Sequence, residues 1–186
     1  MKAYLESSDI INFSHPKVLQ LAESLAKGLH TDEAIAQACF NYVRDEIEHS
    51  GDAQSSTPTC KASEVLEHKT GWCYAKSHLL AALLRANDIP TAFYYQRLFC
   101  NEYKENAYCL HGLNAIYLKE FGWYKVDARG NKEGVDAQFK PPHEQLAFKL
   151  MDGERDIDTL YAQPLEVVVT ALQQNYDTMI HNFPDI

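Results

Sequence analysis

Residues 72–90 read WCYAKSHLLAALLRANDIP. From Cys73 to Ala86 the segment is rich in helix formers and holds neither Gly nor Pro. Leu79, Leu80, Leu83 and Leu84 spread apolar surface over most of the circumference. That pattern predicts a central, buried helix rather than one lying on the surface. Asn87 and Pro90 mark its end. A cysteine, Cys73, then falls in the first turn. Backbone N–H groups there have no intrahelical partner and carry partial positive charge. Such a position favours thiolate over thiol and offers donors to an oxyanion forming nearby.

Upstream, the texture stays helical. Ser14 is a candidate cap and Pro16 suits an early helical position, with Val18, Ala22, Leu25 and Leu29 at helical spacing before an end near Gly28. Thr31, Asp32 and Glu33 open a second helix with apolar residues Ile35, Cys39, Tyr42 and Ile47, running to about Glu48. Residues 51–58 read as a polar loop, and residues 62–67 as a short helix stopped near Gly71. Downstream the pattern switches. Residues 91–99, 110–118 and 123–126 are rich in aromatic and β-branched side chains and predict strands. The turn around Glu120, Phe121 and Gly122 makes the last two an antiparallel pair. Residues 164–180 read as helix again. Helices first and sheet second predict one α+β domain spanning residues 1–186.

Composition narrows the function classes. The chain has 186 residues, 46% hydrophobic and 23% charged, with a formal net charge of −9. An acidic surface with scattered lysines and arginines is a poor match for a phosphate backbone, so nucleic acid is not an expected partner. Neither a leader-like start nor an apolar run long enough to span a bilayer is read from the sequence, which predicts a cytoplasmic protein with no membrane partner. Five cysteines at irregular spacing, with no C-x-x-C pair, predict free thiols rather than a disulfide framework or a structural zinc site. Cys39 reads as a core residue, Cys60 as a bystander, and Cys100 and Cys109 as bystander thiols flanking a polar loop, with a cross-link between them or a place at the mouth of the site as the alternative.

A nucleophilic thiolate needs a partner that later serves as the acid for the leaving group. Of eight histidines, His111 heads the strand-like run 112–118, and Asp127 ends the run WYKVD. If those strands form a hairpin, the carboxylate and the imidazole meet at one end of it, as a triad requires. His78, five residues beyond Cys73, points to another face of the helix and reads as a packing residue. Trp72 is a candidate wall of an acyl pocket. Arg129 is a candidate clamp for a substrate carboxylate, with an internal ion pair to Asp136 or Glu133 as its alternative.

Three stretches together, GWCYAKSHLLAALLRANDIP, LHGLNAIYL and WYKVDARGN, resemble the transglutaminase-like superfamily of papain-like cysteine enzymes. The preceding NYVRDEI is similar to that family's upstream helix. DARGNKEGVDAQF and DTLYAQPLEVVVTAL resemble one compact bacterial branch, so the likeness extends over residues 14–172. The resemblance implies a catalytic triad of Cys73, His111 and Asp127, no metal and no organic cofactor. It also implies a protease, deamidase or transglutaminase that works through a thioester acyl-enzyme on a peptide or small amide or amine substrate. A binding or scaffold domain without turnover, or acetyl transfer to an amine, are the alternatives. One position departs from the family pattern: Leu113 stands where many members carry Trp two residues after the histidine.

Overall fold

A computed structural model describes residues 1–100, 107–174 and 176–186. Helices α1 (Pro16–Ala26), α2 (Asp32–Glu46), α3 (Ser50–Ala53), α4 (Ala62–His68) and α5 (Cys73–Ala86) precede the main sheet. Two-residue strands β1 (Glu48–His49) and β2 (Thr70–Gly71) pair in parallel between them. The main sheet comprises β3 (Thr91–Phe99), β4 (Tyr108–Leu118), β5 (Gly122–Val126) and β6 (Arg155–Tyr161) in the order β5-β4-β3-β6, antiparallel throughout. Helices α6 (Glu166–Leu172) and α7 (Tyr176–His181) close the described chain. This is the α+β fold expected, with the predicted nucleophile at the start of the central helix.

Every residue of α5 from Cys73 to Arg85 is buried, which explains why its apolar residues do not keep to one stripe. α1, α2 and α4 pack around α5, and β4 and β3 lie against it. Its polar residues are inside too: Ser77 donates to the Cys73 carbonyl of the same helix, and Lys76, His78 and Arg85 meet backbone carbonyls of neighbouring segments. Lys76 donates to the carbonyls of Arg44 and Ile47 at the end of α2. His78 Nδ1 lies 2.7 Å from the Cys60 carbonyl. Arg85 donates to Glu6, Thr91 and Ala162 carbonyls at 2.6–3.2 Å. Deleting such a donor strands a buried acceptor, at a cost of about 1–3 kcal/mol. The helix is thus held in place by both its leucines and its polar side chains.

Several local expectations are revised. His15, not Ser14, is the N-cap of α1, and it makes no side-chain cap. Thr31 does cap α2, accepting from the Ala34 N–H at 3.2 Å. The segment read as a polar loop starts with the helical turn α3. β6 was not foreseen, and residues 164–180 split into α6 and α7. The largest revision concerns the cysteines: Cys100 and Cys109 form a disulfide, with Cα atoms 5.7 Å apart, so only Cys39, Cys60 and Cys73 are free. The alternative reading of this pair thus holds, and spacing could not decide for it because the pairing depends on β3 and β4 lying side by side, with Leu98 opposite Cys109.

Candidate active site

β4 and β5 set the first half of the site. Their register places Asn114 opposite Val126, and Asp127 is the next residue along. His111 is on the same edge of the sheet, and its Nε2 lies 2.7 Å from Asp127 Oδ2. Both side chains are buried. Asp127 also accepts from the Arg129 N–H on Oδ1 and the Ala147 N–H on Oδ2, each at 3.1 Å. Burial alone would raise the Asp127 carboxyl, but His111 and these donors hold it below the usual carboxylate range.

α5 supplies the second half. Cys73 is its first residue, with Trp72 as N-cap. Asp127 occupies Nε2, so Nδ1 is the imidazole nitrogen left for the hydrogen bond between His111 and the Cys73 sulfur. Burial opposes a charged imidazole, yet the Asp127 carboxylate and the Cys73 sulfur outweigh it and push His111 up to about 10. The imidazolium is therefore the form at neutral pH. The other free thiols differ: burial pushes both Cys39 and Cys60 up to about 12.

A cavity of about 870 Å³ opens over these groups. Trp72 forms part of its wall, between the His49 ring at 5.3 Å and the Phe183 ring at 5.2 Å, both edge-on. Phe148 stands edge-on to His111 at 5.0 Å. Leu113, by contrast, is fully buried in the core, so an aromatic shield reaches the imidazole from a distant loop rather than from two residues along the strand.

Arg129 borders the cavity, but its fork is taken by Asp52 in a two-point ion pair at 2.7 and 2.9 Å. The internal partner expected was Asp136 or Glu133; it is Asp52, 77 residues away in sequence. Lys132 joins the same carboxylate at 2.8 Å. Arg129 thereby anchors the chain whose N–H holds Asp127. His49, 9% exposed, sits between this ion pair and Trp72, and burial followed by the Arg129 charge depresses its pKa. Sequence reasoning missed Asp52, His49, Phe148 and Phe183. The acid and histidine of HSGD at residues 49–52 were a faint signal, and nothing local marked the two phenylalanines.

A thiol at the N-terminus of a buried helix, facing a histidine–carboxylate pair on an antiparallel sheet, defines a papain-like arrangement. The family model for the transglutaminase-like superfamily matches residues 19–128, more than half the chain, and the chain belongs to that superfamily. No curated protein matches it at a significant level. Among solved structures it is similar to a proposed cysteine protease from Cytophaga hutchinsonii, with 23% identity and a TM-score of 0.55 over 68% of this chain and 40% of that one. It is also similar to the periplasmic domain of TgpA from Pseudomonas aeruginosa, with 19% identity and a TM-score of 0.47 over 67% and 45% of the two chains. The aligned parts span under half the length of these relatives. The first of these likenesses bears on the fold alone.

Proposed function

We propose that the protein, acting as one domain, is a cysteine-dependent amide hydrolase or acyltransferase with Cys73 as nucleophile, His111 as acid and base, and Asp127 as the group that orients His111. The observation that carries this reading is the 2.7 Å pairing of His111 Nε2 with a buried carboxylate, on an imidazole that also hydrogen-bonds the thiol at the start of α5. Cys73 Sγ attacks the substrate carbonyl. The free N–H groups of the first helical turn face the charge that develops on the carbonyl oxygen. His111 already carries a proton and delivers it to the departing amine. His111, now neutral, then takes a proton from water or from an acceptor amine as either attacks the thioester. The mixed apolar and polar cavity is suited to a peptide or a small amide.

The test is acylation by p-nitrophenyl acetate, followed by intact mass and peptide mapping. An acetyl group on Cys73, absent in Cys73→Ala, supports the reading. Release to water or to added glycine methyl ester then separates hydrolysis from transfer. No acylation above that of Cys73→Ala rejects the enzyme reading and favours a scaffold role. A cytoplasmic location belongs to the same proposal. Among the described residues no helix is long and apolar enough to cross a membrane. In a reducing compartment the Cys100–Cys109 pair would be largely open. Trapping thiols at lysis checks this, since a fully closed pair would place the protein in an oxidising compartment.

A further inference from the structure

β5 pairs with β4 only at residues 114–118, whereas β3 pairs with β4 at 108–116. The part of β4 that leads into His111 therefore has an edge that β5 leaves uncovered. Residues 183–185 of the same chain lie along it. The Pro184 carbonyl accepts from the Leu110 N–H at 2.8 Å. Phe183 borders the cavity and meets Trp72, next to Cys73, edge-on at 5.2 Å. Asp185 is clasped by Arg97 through two hydrogen bonds of 2.7 Å. Phe183 and Asp185 are two positions apart, the spacing that puts side chains on one face of an extended chain.

Resting on the reading of Cys73 as a nucleophile, we propose that residues 183–185 form a displaceable strap in the site of an extended peptide substrate. That peptide presents a large apolar side chain to Trp72 and, two residues on, a carboxylate to Arg97. Backbone pairing with a free strand edge, with side-chain pockets at alternate positions, is how sheets take up extended peptides. Arg97 is held ready for a carboxylate, with its guanidinium 3.8 Å from the centre of the Tyr108 ring.

Two features leave the strap weakly held. Pro184 has no N–H to return to β4, and the Leu110 carbonyl accepts from the Tyr74 hydroxyl instead. An ordinary residue in a substrate would bring that donor to the second lone pair of the Leu110 carbonyl, beside the Tyr74 hydroxyl. The Arg97–Asp185 pair is a quarter to a third exposed, where ion pairs contribute little. The firm anchor lies further back, at Met179 of α7, which is buried. Release beyond it would uncover Trp72, the neighbour of Cys73, and widen the cavity without unfolding the core.

Labelling of Cys73 with a bulky maleimide, set against iodoacetamide, tests this in wild type, Phe183→Ala and Asp185→Asn. Release of a contact worth about 1 kcal/mol raises the bulky-to-small rate ratio about fivefold. In the variants, acetyl-Asn-Phe-Pro-Asp-amide added in trans should slow maleimide labelling. The same peptide with Ala for Pro should do so at about fivefold lower concentration, through its added N–H. The Asp185 side chain is a third exposed, so Asp185→Asn should keep the fold, and thermal melting checks this for both variants. An unchanged ratio in both, or peptides that protect no better than a scrambled sequence at millimolar concentration, overturns the strap. Labelling needs no turnover, so the two ideas fail separately. Protection without any thioester on Cys73 sinks the enzyme reading alone, and a thioester without protection sinks the strap alone.

Discussion

Gly112 and Tyr74 are in direct contact. A Cβ added to Gly112 would stand 2.7 Å from Tyr74 Cδ1 and 3.2 Å from Tyr74 Cα. The residue after the histidine thus packs against the backbone of the residue after the cysteine. The missing side chain lets α5 approach β4 closely enough for the thiol and imidazole to meet. Gly112→Ala must push the two elements apart, because the atom in the way is backbone as well as ring. We expect a loss of about 1–3 kcal/mol in stability. A fall in Cys73 alkylation should also appear under conditions where the fold is intact. Unchanged alkylation by iodoacetamide would show that the approach does not set the pair.

Cysteine labelling reads the ion pair most directly. Cys39 and Cys60, both pushed up to about 12, should be nearly silent at pH 7. Cys73 faces an imidazolium and should label first of the three free thiols. His111→Ala removes that positive charge and should slow Cys73 alkylation about tenfold or more. Site-resolved mass spectrometry on both proteins decides it, and equal rates would mean that His111 does not act on the thiol.

Asp127→Asn keeps the shape and removes the charge that stabilises the imidazolium. Acylation of Cys73 by p-nitrophenyl acetate should drop about 10²-fold or more. The pH at which His111 loses its proton, followed by NMR of the imidazole, should also move down, since the Asp127 carboxylate is the largest influence raising His111. A slower rate with an unmoved pH profile would reduce Asp127 to a structural role.

The same histidine carries a stability signature. Folded His111 titrates near 10, against a reference of 6.5 for the unfolded chain. Between those values the folded state binds the extra proton. Its stabilising contribution is complete below about pH 6.5 and is lost as pH rises through 10. Denaturant midpoints should fall across that interval more steeply for wild type than for His111→Gln. Parallel slopes would refute the raised value.

The Cys100–Cys109 bond ties the end of β3 to the start of β4 at the rim of the cavity. In protein purified under oxidising conditions and then denatured without reductant, three thiols should titrate rather than five. Replacing both cysteines with Ser should lower stability by roughly 2–3 kcal/mol, as expected for a short closed loop. Five free thiols in protein purified under oxidising conditions would remove the bond from consideration.

Local chemistry alone marked out a buried helix with a cysteine in its first turn, because the fourteen consecutive positions from Cys73 to Ala86, without Gly or Pro and with four leucines, admit little else. It also marked the strand pair that bears His111 and Asp127, since alternation and a glycine turn are short-range properties. What it left open were relationships between segments distant in the chain. Arg129 meets Asp52, Phe148 covers His111, and Cys100 finds Cys109 only because the sheet and helices bring them together. β6 was missed because its residues alternate weakly, and pairing with β3 supplies the order that its own sequence lacks. The strand and helix periods are written into the sequence by backbone geometry. Which buried charge meets which, and what closes over the thiol, was decided by packing in three dimensions.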